Sequence, residues 1–347
     1  MHSGLGGLGG MASGGNGKTT LEDLARLAGV STSTVSRALN DHALISMPTK
    51  RRVWALAREH GYAFRASMPT APIGAEGSIA IVTPHTRGRP LPLSHPFFLE
   101  LLASIGEAAR ARDCDFTVSH VSPASFEDLV IASTTSRASG VIFLGQGALH
   151  DSFNRLVDVG ARFVVWGAQL PHQRYRSIGS DNHLGGRRAT RHLIRLGRKR
   201  ILFVGGRDPE ALQRRRGYGD ALAESGLPAD PALIVPVEFE LDAAESAVGQ
   251  RLRDGVAFDG VVAASDLMAL GAIQALQRAR LTVPGDVSVV GYDDMLLSRL
   301  STPKLTTVRQ DTFEAGRLLV SSILDPARDG HSATLATELI VRESCGA

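Results

Sequence analysis

Five short hydroxyl side chains and one arginine, Ser31, Thr32, Ser33, Thr34, Ser36 and Arg37, crowd one segment of this 347-residue chain. Their chemistry is hydrogen bonding: the hydroxyls are short enough to approach a base edge, and a guanidinium fork matches O6 and N7 of guanine. The spacing places them on one surface. From Thr32 to Leu39, Val35, Ala38 and Leu39 fall on one side of a helix, so Thr32, Ser33, Ser36 and Arg37 fall on the other. Ser31 is suited to cap that helix. A first helix is predicted from Leu21 to Ala28, with Thr20 as N-cap, Asp23 complementing the dipole in its first turn, and Leu21, Leu24, Ala25 and Ala28 as its apolar stripe. Gly29 supplies the reversal between the two, and a third helix, Thr49 to His60, closes a small core with Val53, Trp54, Leu56 and Ala57. Two helices about a tight turn, the second with a small, polar and basic outer face, form the geometry that enters a DNA major groove.

Charge separates this reading from that of a helical hairpin inside a larger core. Residues 1–62 hold seven Lys or Arg against four acids, and the remainder is balanced at 31 against 31. The net charge of +3 therefore resides on the segment that would meet phosphate. The composition, 43% hydrophobic and 21% charged, is that of a soluble protein of two or three domains. Cys114 and Cys345 are too few and too far apart for a disulfide framework or a zinc site, which fits a reducing, cytoplasmic setting. No stretch has the character of a transmembrane span. Residues 1–18 are glycine-rich and are expected to be a disordered leader, with Met11 an alternative start. Ala12 to Thr19, ASGGNGKT, matches a loose phosphate-loop pattern, but no strand precedes it and the next helix belongs to the DNA-reading unit, so no nucleotide cofactor or metal is expected.

From Ser78 onward, apolar runs of strand length alternate with amphipathic stretches of helical length, the pattern of parallel sheets wound through crossover helices. Strands are predicted at 79–83, 116–119, 141–144, 163–166, 201–204, 233–237, 260–263 and 287–292, with helices fitting between them, for example at 97–112, 183–196, 213–224, 267–278 and 312–324. Eight strands exceed one small lobe, so two open sheets side by side are expected, with a ligand cleft at the carboxyl ends of their strands. The intervening 63–77, rich in Pro and Gly, reads as a linker.

LARLAGVSTSTVSRALN, TKRRVWALAREHGY, HPFFLELLASIGEAA, SDNHLGG, HLIRLGRKRILFVGG, RRRGYGDAL, AASDLMALGAIQAL, VPGDVSVVGYDD and PKLTTVRQD together resemble the LacI/GalR bacterial transcriptional regulators over residues 20–343. The resemblance implies an all-α helix-turn-helix headpiece, 19–62, and an α/β effector and dimerisation domain, 78–347, similar to periplasmic binding proteins. That domain would hold two doubly wound parallel sheets joined by three crossovers: lobe 1 at 78–180 plus 311–326, and lobe 2 at 181–309 plus 327–347.

By the same resemblance Thr32, Ser33 and Arg37 read bases and Thr34, Ser36 and Asn40 hold phosphates, with Thr20 and Ser31 at the helix starts completing the DNA-contacting set. The family's sugar-binding arginine, three residues before a Gly-aromatic pair, falls on Arg214; a fork of donors holds two neighbouring hydroxyls. Asp293, just past the apolar strand VSVVGY, is placed to accept from sugar hydroxyls, with Asp294 the alternative. Phe97, Phe98, Trp166 and Phe239 are candidate stacking platforms by the resemblance, although such side chains are more often core. Ser265, where the family often has Asn, and Gln310, at the last crossover, complete the expected effector site.

The linker departs from the family. Phe64 and Arg65 replace the usual Pro-Asn, Pro69 interrupts the hinge-helix run and Ala71 stands in the wedge-Leu position, leaving either a short helix ending near Met68 or a different coupling. His85 to His95 forms a long Pro-rich loop suited to the cleft mouth or the dimer.

These readings imply a non-enzymatic repressor of carbohydrate-utilisation genes. It would be a homodimer or a pair of dimers on double-stranded operator DNA, released by a sugar, a disaccharide or glucoside, between its lobes. A solute-binding protein, or a regulator responding to a purine or a sugar phosphate through the same cleft, is the alternative. Adjacent Asp293 and Asp294 cannot flank a glycosidic bond as two catalytic carboxyls must.

Overall fold

A computed structural model of the protein describes residues 19–39, 42, 44–60, 62, 78–86, 89–90, 95–119, 121–134, 138–325 and 331–347. The chain divides into two compact units at residues 75 and 76. Most of the phosphate-loop-like stretch, Asn40, and the linker with Phe64, Arg65, Met68, Pro69 and Ala71 lie outside the described residues.

The first unit holds α1 (Leu21–Ala28), α2 (Thr32–Leu39) and α3 (Met47–Glu59). The Asp23 N–H donates to the Thr20 hydroxyl at 3.2 Å and the Thr20 N–H to the Asp23 carboxylate at 3.0 Å, a reciprocal cap on two otherwise orphaned donors. Gly29, at φ +65°, ends α1 in the left-handed region. Leu24, Ala25, Ala28, Val35, Ala38, Leu39, Val53 and Ala57 form the buried core, with Trp54 and Leu56 packed against it. Helix α3 starts two residues earlier than predicted, because Pro48 falls in the first turn, where its missing N–H is not needed. Thr19, the last residue of the phosphate-loop-like stretch, donates its hydroxyl to the His60 carbonyl and so belongs to this bundle.

The second unit contains β1 (Ile79–Val82), β2 (His85–Thr86), β3 (Arg89–Pro90), α4 (Pro96–Arg110), β4 (Phe116–Val118), α5 (Phe126–Thr134), β5 (Gly140–Leu144), α6 (His150–Asp158), β6 (Phe163–Trp166), β7 (Ser177–Ser180), α7 (Asn182–Arg195), β8 (Ile201–Gly205), α8 (Pro209–Glu224), β9 (Ile234–Pro236), α9 (Leu241–Arg253), β10 (Gly260–Ala263), α10 (Asp266–Arg278), β11 (Ser288–Asp293), α11 (Leu296–Leu300), β12 (Thr306–Gln310), α12 (Thr312–Leu324), β13 (Ala333–Leu335) and β14 (Thr337–Ile340). Two six-stranded sheets result, ordered β13-β7-β6-β5-β1-β4 and β14-β12-β11-β10-β8-β9. The central strands IAIV, GVIFL, ILFVG and GVVA are buried throughout, as strands covered by helices on both faces must be. Each lobe has its own core, one around Ile79, Leu101, Ile142 and Ile323, the other around Phe203, Val261, Val289 and Leu276.

Two expectations are corrected. The last crossover lies at Ala336 rather than between 326 and 327, because β13 pairs in parallel with the free edge of β7, from Ala333 opposite Ile178 to Leu335 opposite Ser180. The second sheet is not wholly parallel: β14 enters from the cleft end, with Thr337 opposite Gln310, and so must run against β12. The other crossovers are single residues, Asp181 before α7 and Asp311 before α12, each capping the helix it leads into at 2.9 Å. Of the loop predicted at 85–95, the described part is a short antiparallel ribbon, β2 with β3.

Candidate DNA-reading helix and ligand cleft

On the first unit, α2 presents Thr32, Ser33 and Arg37 exposed, with Thr34 and Ser36 half-buried. The Thr34 N–H donates to Ser31 Oγ at 3.1 Å, and Ser31 Oγ lies 2.8 Å from the hydroxyls of Ser33 and Thr34. Ser31 thus caps α2 as the residue type demands. Thr20 donates its hydroxyl to Asp23, at 2.7 Å, within the α1 cap. Arg26 is held at 2.6 Å by Asp23.

On the second unit, a cavity of about 740 Å³, partly open to solvent, lies where the carboxyl ends of both sheets meet. Seven of the eight predicted effector residues line it: Phe97 and Phe98 from the first turn of α4, Trp166 ending β6, Arg214 of α8, Phe239 after β9, Asp293 ending β11 and Gln310 ending β12. Phe97 lies 5.6 Å from Phe98 and 5.8 Å from Trp166, ring centre to ring centre, so the aromatic wall is continuous with the lobe 1 core.

Arg214 is 4% exposed and held by several groups. Its Nε donates to Asn182 Oδ1 at 2.8 Å, its Nη1 donates to the Ala264 carbonyl and lies 3.8 Å from Asp293, and its guanidinium rests 3.6 Å above the Tyr292 ring. The local sequence makes that position available. Helices α7 and α8 cross so closely that a Cβ on Gly186 would meet the Arg214 carbonyl oxygen at 2.1 Å, and one on Gly217 the His183 carbonyl oxygen at 2.0 Å. Only glycine fits at either place.

Asp293 and Asp294 both have positive φ, +119° and +58°, conformations costly for residues with a Cβ. The sharp exit from β11 sends the two carboxyls to different partners. Asp293 accepts from Gln310 Nε2 at 2.7 Å at the cavity wall. Burial pushes its carboxyl up to about 7 against the opposing pull of Arg214. Asp294 is instead bound by Arg309 at 2.8 Å and Arg342 at 2.5 Å, and is structural. Behind Asp293, the buried Asp266 accepts from Thr307 at 2.6 Å and from the Met295 N–H at 2.9 Å; burial and the nearby Asp293 raise its pKa strongly.

Residues 20–63 match the model of bacterial regulatory proteins, lacI family, and residues 190–345 match that of a periplasmic binding protein-like domain. The chain is 32% identical to the HTH-type transcriptional regulator CelR of Thermobifida fusca over 339 residues, covering 94% of this chain and 98% of that one. This chain belongs to the LacI family. A solved transcriptional regulator CelR–cellobiose complex is 30% identical, with a TM-score of 0.69, covering 94% of this chain and 100% of that one. The lac repressor dimer bound to operator and the anti-inducer ONPF is 25% identical, also at 0.69, covering 95% and 100%. As a LacI-family member the protein is a DNA-binding transcriptional regulator, like the relatives it matches. Among the described residues, no helix is long and apolar enough to cross a membrane, and no cluster of His, Cys, Asp or Glu could hold a metal ion.

In this LacI-family fold Ser265 stands apart from the other expected residues. It is fully buried and accepts from the Met268 N–H at 3.2 Å as the N-cap of α10, away from the cavity wall. The cavity adds His95, Gln146, Ser180, Asn182, Asp208 and Glu210. Gln146 donates to the Ala168 carbonyl at 2.6 Å and to the Tyr175 hydroxyl at 2.8 Å, which leaves its Oε1 unpartnered. Both ring nitrogens of His95 and the Ser180 hydroxyl are likewise unpartnered among the described residues. Burial lowers the His95 pKa to about 4, so its ring is neutral at pH 7. Glu210, whose pKa burial raises, accepts the Ala168 N–H at 3.1 Å and so joins the two lobes. Glu210 lies one helical turn before Arg214, and Gln146 just beyond an apolar strand; those two signals mark them in the sequence.

Proposed function

We propose that this regulator is a cytoplasmic homodimeric repressor of carbohydrate-utilisation genes, released from its operator by a neutral sugar, a disaccharide or glucoside, held between the two lobes. The observation that carries this reading is the pairing of an aromatic wall, Phe97, Phe98 and Trp166, with a fixed polar set, Arg214, Asn182, Asp293 and Gln310, around one cavity. Aromatic faces stack on the apolar face of a sugar ring, while Arg and Asp address neighbouring hydroxyls. The charge balance favours a neutral ligand: Asp208, Glu210 and Asp293 face the space, and the one arginine lining it among the described residues, Arg214, already lies beside the Asp293 carboxylate. The cellobiose held by the related CelR supports the disaccharide class.

For DNA, Thr32, Ser33 and Arg37 are the proposed base-reading residues, with Ser31, Thr34, Ser36, Asn40 and Thr20 against the phosphates. For the dimer, Leu296, Leu297 and Leu300 of α11 and Phe313 of α12 are large apolar side chains exposed on the effector unit, a feature typical of protein interfaces.

The test is a thermal-shift panel of mono- and disaccharides, sugar phosphates and purines against the full chain and Arg214→Ala. A neutral sugar is expected to raise Tm, and the variant to lose that shift. The same sugar should lower operator affinity in fluorescence anisotropy, and Arg37→Ala should weaken it by about 1–3 kcal/mol with Tm unchanged. A shift seen only with purines or phosphorylated ligands, or a neutral-sugar shift retained by Arg214→Ala, refutes the assignment of the cleft.

A further inference from the structure

Away from the cleft, a second concavity lies between α7 and β14, and shares no residue with the first. Its α7 side presents Arg188, Arg191, His192 and Arg195, positions that fall on one face of a helix. Its β14 side presents Thr337 and Glu338. Arg188 donates to the Thr337 carbonyl, tying helix to strand. His192 is held from behind, its Nε2 3.2 Å from Cys345 Sγ. Glu338, the one carboxylate there, is bridged at 3.1 Å by Arg309. Arg191 and Arg195 are exposed and, among the described residues, have neither a hydrogen-bond nor an ion-pair partner.

Three guanidiniums one turn apart on a single face repel one another, and the C-terminal end of the helix dipole offsets this only for Arg195, in the last turn. We propose that this concavity is a second binding site, for a phosphate-type dianion. Planar guanidinium forks bind phosphate oxygens bidentately, and three of them in one concavity match a doubly charged group better than a carboxylate. The site borders two joints between the lobes: α7 begins just after the crossover at Asp181, and β14 just after that at Ala336. An anion held by Arg188, Arg191 and Arg195 would relieve their mutual repulsion along the face of α7 that borders the point where the chain re-enters lobe 2.

The experiment titrates the full chain with inorganic phosphate and, separately, with glucose 6-phosphate at constant ionic strength, reading Tm. The proteins are wild type, Arg191→Gln/Arg195→Gln and Arg214→Ala. Both titrants are expected to give a saturable rise in wild type and in Arg214→Ala. In the double variant the affinity should fall about tenfold for each guanidinium removed. Equal affinity for the two titrants identifies the phosphate group alone as the ligand; a tighter sugar phosphate adds the ring. The double variant without anion should melt at or above the wild-type temperature, since neither arginine has a partner to lose. A rise that never saturates, or one that survives in the double variant, overturns the site; loss in Arg214→Ala alone places the anion in the cleft instead.

Discussion

Replacing Arg214 with methionine keeps the aliphatic stem and removes the guanidinium, and its effect on stability should depend on pH in a defined direction. Two hydrogen bonds are lost, to Asn182 Oδ1 and the Ala264 carbonyl. At about 1.5 kcal/mol each for a charged donor, they set a cost of roughly 3 kcal/mol at pH 5.5, where Asp293 is protonated with or without its neighbour. The folded Asp293 carboxyl is pushed up by burial to about 7, well above the ordinary aspartate range near 3.8. Above pH 7 the wild type gains from ionising it beside Arg214, whereas the variant, lacking the cation, holds the carboxyl neutral. At pH 8 that difference is about 1.4 kcal/mol, the value of one pKa unit, which brings the total to roughly 4 to 5 kcal/mol. Urea unfolding at the two pH values, followed by Trp166 fluorescence in a Trp54→Phe background, reads the effector unit alone. An equal cost at pH 5.5 and 8.0, or a total below about 1 kcal/mol, would refute the view of Arg214 as the partner of an ionising Asp293.

Gly217→Ala puts a Cβ 2.0 Å from the His183 carbonyl oxygen and should destabilise the effector unit by about 3 kcal/mol or more, visible as a lower Tm of the full chain. Thr20→Ala removes one half of the α1 cap and should cost the headpiece about 1 kcal/mol in chemical unfolding followed by Trp54 fluorescence. Leu300→Glu places a charge on a side chain that is 69% exposed, so the subunit should fold with unchanged secondary structure yet sediment as a monomer. Asp293→Asn retains an acceptor for Gln310 but no titrating carboxyl. The wild type loses stability between about pH 4 and pH 7, because its folded carboxyl holds a proton the unfolded chain releases; the variant should lose less over that window.

The headpiece was legible because every device in it is local: a cap at Thr20, a left-handed Gly29, and apolar stripes that meet without distant partners. The central strands were legible for the opposite reason, since burial on both faces demands apolar runs such as ILFVG. Strands β7 and β12 escaped notice because SIGS and TTVRQ are small and polar, and lie where the sheets border the crossovers. Helix α6 carries a weak signal, since it buries only Phe153 and Leu156, too few to set a period by eye. Among the cleft residues, Asp293 was readable from the strand before it, whereas Ser180 and Asn182, which flank the Asp181 crossover, entered only as part of the motif SDNHLGG and without a role of their own. Ser265 was misjudged because a motif position was given more weight than capping chemistry: a serine before Asp-Leu-Met at a helix start is an N-cap first.

The three joints at Asp181, Asp311 and Ala336 are each one residue long, and each is gripped on both sides by a strand or a helix of a packed lobe. Three short, nearly coincident pivots leave no slack for sliding or twisting independently, so the lobes possess in effect one angular coordinate. Compounds of opposite physiological effect on such a molecule need not produce different kinds of motion. They need only bias that one angle in opposite directions.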